Sequence, residues 1–329
     1  MKLSFVIPVF NEENSLNTLY REILCNIADY DYEIIFIDDG SKDNSFQVMK
    51  TLAEKDKKVK IIKFRRNFGK SAALNIGFQN TTGEIIFTMD ADLQDNPEEI
   101  PEFLKIIAPN AKQEKSDENE SLSSETQQDW DIVSGWKKRR KDPLSKRLPS
   151  KLFNLVVSMT FGLKLHDYNC GFKAYKNHVL KEIDIYGEMH RYIPALASAK
   201  GFTVIEIPVN HRVRQFGKSK FGKERYIRGY LDLLTVKLVT AFNRSPLYLF
   251  GGIGTIFTTA GFILGAYLTI LRIMKVIYLS NRPLLFFCML LIIVGFQFFS
   301  IGLIGELLVN QSRKLNRNDI ISVETKINI

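Results

Sequence analysis

The chain predicts a mostly parallel α/β sheet with helices on both faces, followed by two apolar helices long enough to cross a bilayer. Three observations carry this. Short apolar runs alternate with helical stretches in the N-terminal part, acidic residues close several of those runs, and two uncharged segments occupy the C-terminal third. Strands that alternate with helices build parallel sheets covered on both faces.

The first strand reads Leu3-Ser-Phe-Val-Ile-Pro-Val9 and the second Glu33-Ile-Ile-Phe-Ile-Asp38. Further strands are expected over 59–64 and 84–89, with helices over 12–28 and 43–54. In such sheets ligands sit at the carboxyl ends of strands. Asp38-Asp39 and Asp90-Ala-Asp92 fall at those ends. Residues 110–129 are mostly Gln, Glu, Lys, Ser and Asn without an aromatic, too polar to offset ordering entropy, and are expected to be a disordered surface insertion. Asp131-Ile-Val-Ser134 resumes the sheet.

A basic run at 137–141 comes next, with Lys146, Arg147 and Lys151 beyond it. A solvated face and an attractor for phosphates or anionic lipid are both open readings. Over 221–244 apolar residues return at helical spacing and Lys223, Arg225 and Arg228 crowd the start, which reads as an amphipathic helix in the membrane interface. The stretches 247–271 and 283–305 contain no charged residue, and each exceeds the roughly 20 residues needed to span a hydrocarbon core. They form a hairpin whose link carries Arg272, Lys275 and Arg282, leaving a polar tail at 310–329. The alternative is a pair of buried core helices. Met1-Lys2 leads directly into the first strand without a signal-peptide pattern, so the domain before the spans is expected in the cytosol.

Composition narrows the partner. The 329 residues carry a net charge of +9, which suits nucleic acid, a phosphorylated substrate or a membrane surface. Two spans argue against nucleic acid. Cys25, Cys170 and Cys288 are scattered, so neither a disulfide scaffold nor a paired metal spacing is expected.

The sharpest chemical signal is Asp90-Ala-Asp92-Leu-Gln94-Asp95 just after a strand. Adjacent carboxylates repel unless a cation lies between them, and an oxygen-only set suits Mg²⁺ or Mn²⁺ shared with substrate phosphates. Helix capping by Asp95 or Asn96 before Pro97 is the structural alternative.

With these residues in view, the chain resembles family 2 glycosyltransferases of GT-A (Rossmann-like) fold. Phe5-Val-Ile-Pro8-Val-Phe10-Asn-Glu12, Ile37-Asp38-Asp39-Gly-Ser41 and Asp90-Ala-Asp92-Leu-Gln94 are similar to successive motifs of that family. Arg214-Gln-Phe-Gly217-Lys-Ser219-Lys220 narrows it to the dolichyl-phosphate mannose synthases and bacterial polyprenyl-phosphate glycosyltransferases, as do Asp167-Tyr-Asn-Cys170-Gly-Phe-Lys173, His190-Arg191 and the paired spans. The domain order so implied is a catalytic domain over 1–220, an interfacial helix over 221–244, a hairpin over 245–309 and a cytosolic tail.

The resemblance implies an inverting transfer of a hexose from a UDP- or GDP-linked donor to a polyprenyl phosphate in a bacterial inner membrane, with copies associating through their membrane helices. By position, Pro8, Phe10, Glu12, Ile37 and Asp39 would hold the nucleotide, and Asp90, Ala91 and Lys137 the donor. Asp92 and Gln94 would bind Mg²⁺ or Mn²⁺, while Arg147, Arg191, Arg214 and Lys220 would face phosphates or acceptor. Asp92, Arg214 and Asp167 are the candidate catalytic residues. One departure stands out: some bacterial relatives place an aspartate, proposed as base, where this chain has Gly171. Asp167 lies nearby, or no base is needed, since an acceptor phosphate with a second pKa of about 6 is largely ionised at neutral pH. A non-catalytic GT-A domain that binds lipid or partners is the rival of another class. A polysaccharide-extending enzyme is the other alternative, but its Gln-x-x-Arg-Trp element is missing, since neither Trp130 nor Trp136 follows an arginine.

Overall fold

The computed structural model describes residues 1–109, 129–138, 154, 157–158, 161–183, 185, 189–215, 246–275 and 283–315. Most of the expected insertion, the expected interfacial helix, Arg147, Lys220 and the end of the tail lie outside the described residues. The chain divides into two compact units, Met1–Val236 and Lys237–Ile329.

The first unit contains strands β1 (Lys2–Val9), β2 (Asp31–Asp38), β3 (Val59–Lys63), β4 (Ile85–Thr88), β5 (Ile132–Trp136), β6 (Lys173–Lys176) and β7 (Val204–Pro208). They form one sheet in the order β3-β2-β1-β4-β6-β5-β7. All neighbours are parallel except β6, which runs antiparallel to β4 and β5. Between them lie helices α1 (Leu16–Asn26), α2 (Ser45–Lys55), α3 (Lys70–Gln79), α4 (Ile100–Ile107), α5 (Asn177–Lys181) and α6 (Ile193–Ala199).

Both faces are covered, and for that reason the central strands read as unbroken apolar runs. Leu3, Phe5 and Ile7 pack with Leu16, Leu19, Met49, Phe103 and Leu104, which places α1, α2 and α4 on one face. Val6, Ile35 and Ile37 pack with Leu74, Phe78, Val179 and Ile193, which places α3, α5 and α6 on the other. Phe5, Phe87, Phe103 and Phe172 stack through the first layer, with Phe103 and Phe172 centroids 4.4 Å apart. Each such side chain contributes about 1.5–3 kcal/mol on burial.

Strand order reverses between β1 and β4, since β2 and β3 follow on one side of β1 and β4 lies on the other. Pairing of β1 with β4 stops at Val6 and Thr88, two residues before Pro8. The strands therefore part there and open a crevice at their carboxyl ends. Helix α1 begins at Leu16 rather than near residue 12. The Glu12 amide donates to Ser45 Oγ (2.8 Å), and Ser15 folds back on the Glu12 carbonyl (3.1 Å), so this stretch serves the crevice first.

At the opposite edge Glu33 is only 2 % exposed, yet it is well supplied with partners. It accepts from Ser4 Oγ (2.6 Å), the Thr82 amide (2.6 Å) and Lys60 Nζ (2.7 Å). Burial opposes its charge, but Lys60, Ser4 and Thr82 outweigh that and hold its pKa at about 2. A lowered folded pKa stabilises above the unfolded value and is lost as pH falls through the folded one. Glu33→Gln is therefore expected to cost about 2 kcal/mol at neutral pH, discounted for the half-exposed lysine. The difference from the parent in unfolding experiments should shrink as pH falls below about 4.

Among the described residues the second unit contains two helices, α7 (Pro246–Ile273) and α8 (Pro283–Leu315). Their apolar windows are only 17 % and 11 % buried, with Ile256, Phe262, Phe286 and Phe296 turned outward. Core helices would hide such residues, whereas the length, composition and exposure of both helices suit a bilayer. They pack on each other through small residues. A Cβ on Gly295 would lie 2.7 Å from the Thr258 amide nitrogen, and one on Gly254 would lie 2.6 Å from the Gly295 carbonyl oxygen. Lipid supplies no hydrophobic drive between helices, so close backbone approach does the holding.

Candidate active site

The crevice is lined by the exits of β1, β2, β3 and β4, each tied to its neighbours. After β1 the backbone turns at Asn11, which has φ 52°. Asn11 donates its amide to Ser41 Oγ (3.0 Å) and accepts from the Lys42 amide through Oδ1 (2.7 Å). Pro8, Phe10 and Glu12 are part-buried along this exit.

After β2 the two aspartates divide their work. Asp39 accepts the Phe68 and Gly69 amides (2.7 and 3.0 Å), which pins the β3–α3 loop. Burial raises its pKa despite those donors, with Asp38 adding to the effect. Asp38 Oδ1 accepts the Ser41 amide (2.8 Å), while Oδ2 is buried without a hydrogen bond among the described residues. Gly40 must be glycine: its φ is 75°, and a Cβ would lie 2.6 Å from the Arg66 carbonyl carbon. Ile37 is fully buried in the core, so any contact it makes with a nucleotide is limited to its backbone.

After β4 comes the acidic loop. Asp90 donates its amide to Asp95 Oδ2 (3.1 Å), and Asp92 Oδ1 accepts the Gln94 amide (3.1 Å). Three carboxylates so close need cations, and each has one. Lys70, the first residue of α3, pairs with Asp90. Arg214 pairs with Asp92 and lies 3.6 Å from Glu12 Oε1. Lys137, at the exit of β5, pairs with Asp95 (2.8 Å) with both side chains nearly inaccessible.

The electrostatics are uneven. Burial opposes the Asp90 charge, but Lys70 and Lys137 hold its pKa at about 2. Burial, then Asp90 and Asp95, push Asp92 up to about 6 against the pull of Arg214. Burial works against the charge of Lys137, but Asp95 outweighs it and keeps the ammonium protonated. Asp92 is thus the position short of positive charge. Hard oxygen donors and that deficit fit a divalent cation held at Asp92 and Gln94. Among the described residues no group of three His, Cys, Asp or Glu side chains is placed to cage a metal.

The remaining candidates surround this loop. Asp167 is buried, and its Oδ1 accepts the Asn169 amide (3.1 Å). Glu206 of β7 clamps the same turn, accepting the amides of His166 (2.8 Å) and Asp167 (2.7 Å). Buried Lys173 braces it from within by donating to the Tyr168 carbonyl (3.3 Å) and that of Cys170, and burial lowers its pKa. The turn brings Gly171 against Asp90, while the Gly171 carbonyl accepts from Thr88 Oγ1 (2.9 Å). Arg191 is buried in a turn at Met189–Arg191, whose His190 bonds to Ser71 Oγ next to Lys70. Ala91 is buried within the acidic loop.

The structure therefore brings Glu12, Asp90, Asp92 and Arg214 together, and gives Lys137 to Asp95. Sequence reasoning assigns no role to Lys70, Lys173 or Glu206. Lys70 had one usable signal, a lysine at a helix start directly after a glycine. Glu206 had none, because its role depends on which turn β7 happens to border.

A parallel sheet with carboxylates, an arginine and a lysine gathered where strand order reverses defines an α/β enzyme suited to a phosphate-bearing ligand. The architecture is GT-A: glucosyl-3-phosphoglycerate synthase from Mycobacterium tuberculosis aligns with a TM-score of 0.53 at 16% identity, over 73% of this chain and 79% of that one. The same enzyme in complex with Mn²⁺, UDP and phosphoglyceric acid also aligns at 0.53, with 15% identity over 72% and 78% of the two chains. Residues 4–183 match the model of glycosyl transferase family 2, and the chain belongs to that family. The undecaprenyl-phosphate 4-deoxy-4-formamido-L-arabinose transferase of Photorhabdus laumondii is 34% identical over 93% of this chain and 88% of its own. The dodecaprenyl-phosphate galacturonate synthase of Rhizobium johnstonii is 31% identical over 94% and 88%.

Proposed function

We propose that this chain is a membrane-bound inverting glycosyltransferase that moves a sugar from a nucleotide-sugar to a polyprenyl phosphate. The observation that carries this is the near full-length similarity to two bacterial polyprenyl-phosphate sugar enzymes, at 34% and 31% identity. The two apolar helices add a reason for a lipid acceptor, whose tail must stay in the bilayer while its headgroup reaches a water-facing site.

An acceptor phosphate oxygen attacks the anomeric carbon from the face opposite the donor diphosphate. The new carbon–oxygen bond forms as the bond to the diphosphate breaks, and the electron pair leaves with the nucleoside diphosphate. No proton need be removed from an acceptor that is already ionised. Asp167 is accordingly a positioning residue, since it holds its own turn through Asn169. Asp92 and Gln94 would hold the divalent ion, Mg²⁺ or Mn²⁺, whose chemistry there would be to neutralise charge on the leaving diphosphate. The Asp39 loop and the β1 exit, with Pro8, Phe10 and Glu12, receive the nucleotide. Arg214 and Lys220 hold anionic groups in line, and Arg147 and Arg191 support them, so positioning supplies much of the rate. UDP is the favoured nucleotide, consistent with the bound UDP of the structurally similar synthase.

The catalytic unit faces the cytosol of a bacterial inner membrane. Association of copies would use the outer face of α7, where Gly252, Thr255, Thr259 and Ala260 leave room for another helix. Detergent-solubilised protein with polyprenyl phosphate, Mn²⁺ or Mg²⁺ and a panel of labelled nucleotide-sugars tests the function. Label is expected to pass into the organic phase from one donor. Loss of both transfer and nucleotide binding would favour a non-catalytic GT-A domain.

A further inference from the structure

We infer that Arg212 is a positioning residue for the divalent ion: its guanidinium locks a strap over 209–212 against the acidic loop, and the locked strap keeps Gln94 beside Asp92. This rests on the metal assignment in the polyprenyl-phosphate transferase reading and adds to it the group that shapes the ion's site.

The strap is tied at every residue. The Val209 amide donates to the Trp136 carbonyl (2.9 Å), and Asn210 donates to Glu99 Oε1 through its amide (3.2 Å) and through Nδ2 (2.6 Å). His211 forms an antiparallel bridge with Asp95. The Arg212 amide donates to the Gln94 carbonyl (3.0 Å). Beyond the backbone the arginine fork divides. Nη1 donates to Glu22 Oε2 on α1 (2.6 Å), while Nη2 donates to Asn96 Oδ1 (2.6 Å) and lies 3.6 Å from Glu98 Oε1. Asn96 is buried and caps the turn at Pro97–Glu99 by accepting the Glu98 amide (3.2 Å). One side chain thus joins α1, the end of the acidic loop and the strap.

The loop needs that support. Leu93, between the two residues assigned to the ion, has φ 61°. A left-handed backbone at a bulky residue is unfavourable and persists only where its surroundings over-determine it. The Leu93 side chain is fixed by full burial in the core. The Gln94 backbone is held on both sides, by its amide on Asp92 Oδ1 (3.1 Å) and by the Arg212 amide on its carbonyl. Release of the strap removes the second hold, and relaxation at Leu93 then carries Gln94 away from Asp92. A neutral amide oxygen attracts a cation less than a carboxylate does, so Gln94 contributes only if it is in place beforehand. Groups that orient ligands without touching a metal commonly set about 10–100-fold of its affinity.

The test uses the full chain in detergent and Mn²⁺ alone, with binding read from the loss of the free-ion electron paramagnetic resonance signal. Arg212→Met keeps the backbone amide and the stem and loses the fork, and it is expected to bind Mn²⁺ about tenfold more weakly or worse. The sign is diagnostic. Loss of a positive charge near Asp90, Asp92 and Asp95 would by charge alone tighten a cation. Equal or tighter Mn²⁺ binding therefore overturns the positioning role. Arg212→Lys keeps the charge, but one ammonium cannot serve Glu22 and Asn96 as the fork does. Its Mn²⁺ affinity is expected to fall about threefold or more, and affinity equal to the parent overturns the proposal even if Arg212→Met does not fold. Calorimetric UDP binding in EDTA is expected to stay within about twofold of the parent in both variants, because the Asp39 loop and the β1 exit are untouched. A parallel loss there marks general loosening and also overturns the role. Asp92→Asn is expected to lose Mn²⁺ binding. Affinity that ignores that change overturns the metal assignment in the proposed function, which is a separate failure.

Discussion

Asp92→Ala is expected to lower kcat/KM for sugar transfer by three orders of magnitude or more, about 4 kcal/mol of transition-state stabilisation. Removal of a single preorganised electrostatic contact in an active site commonly costs 10²–10³ in rate. Asp92 is expected to exceed that range because the oxygen proposed for the divalent ion is lost and Arg214 loses the carboxylate that positions it in the ligand-free site. The fold should not suffer. Burial and the neighbouring Asp90 and Asp95 already push the Asp92 carboxyl up to about 6, so its charge is carried at a cost in the unliganded protein. Thermal unfolding should therefore show a midpoint unchanged or slightly raised. Transfer into the organic phase is the readout, and activity within tenfold of the parent would remove Asp92 from the mechanism. A fallen midpoint with lost activity would point to a structural role.

Gly171→Asp is expected to destroy activity, although it restores the aspartate that some relatives carry there. A Cβ at Gly171 would lie 2.6 Å from Asp90 Oδ2 and 2.8 Å from its Cγ, closer than real contacts allow. Neither side can retreat easily. The Gly171 carbonyl is bonded to Thr88 Oγ1 (2.9 Å), and β6 begins two residues later with Lys173 paired to Thr88. Asp90 is held by Lys70 and by its own amide on Asp95. Overpacking alone costs about 1–3 kcal/mol, and a second carboxylate adds like-charge repulsion. A loss of at least a hundredfold in transfer is expected, with a lower unfolding midpoint. Gly171→Ala separates the causes: it should keep most of the steric penalty and none of the charge. Activity gained by Gly171→Asp would sink the base-free mechanism.

Much of this site is legible in the sequence. The strand exits at Asp38-Asp39 and Asp90-Ala-Asp92 can be placed because buried parallel strands are short unbroken apolar runs, and the residues just past each run lie at the carboxyl edge. The antiparallel strand β6 is not legible. Lys-Ala-Tyr-Lys has no strand pattern, and pairing with β4 and β5 alone makes it one. Nor can the basic run be read by residue. Lys137 and Lys138 look alike in sequence, yet Lys137 is committed to Asp95 while Lys138 lies over the Trp136 ring.

The order of apolar runs, acids and spans is thus set by patterning, which is local: burial on both faces demands continuous apolar strands, and a bilayer demands long uncharged helices. Which cation meets which carboxylate is decided only by the folded chain. Lys70, Lys137 and Arg214 come from three distant segments and reach one loop. The same holds for the space at Gly171, where a missing Cβ lets the carboxylate of Asp90 rest against the neighbouring turn. Pairings across such separations depend on strand order and register, which no local pattern encodes.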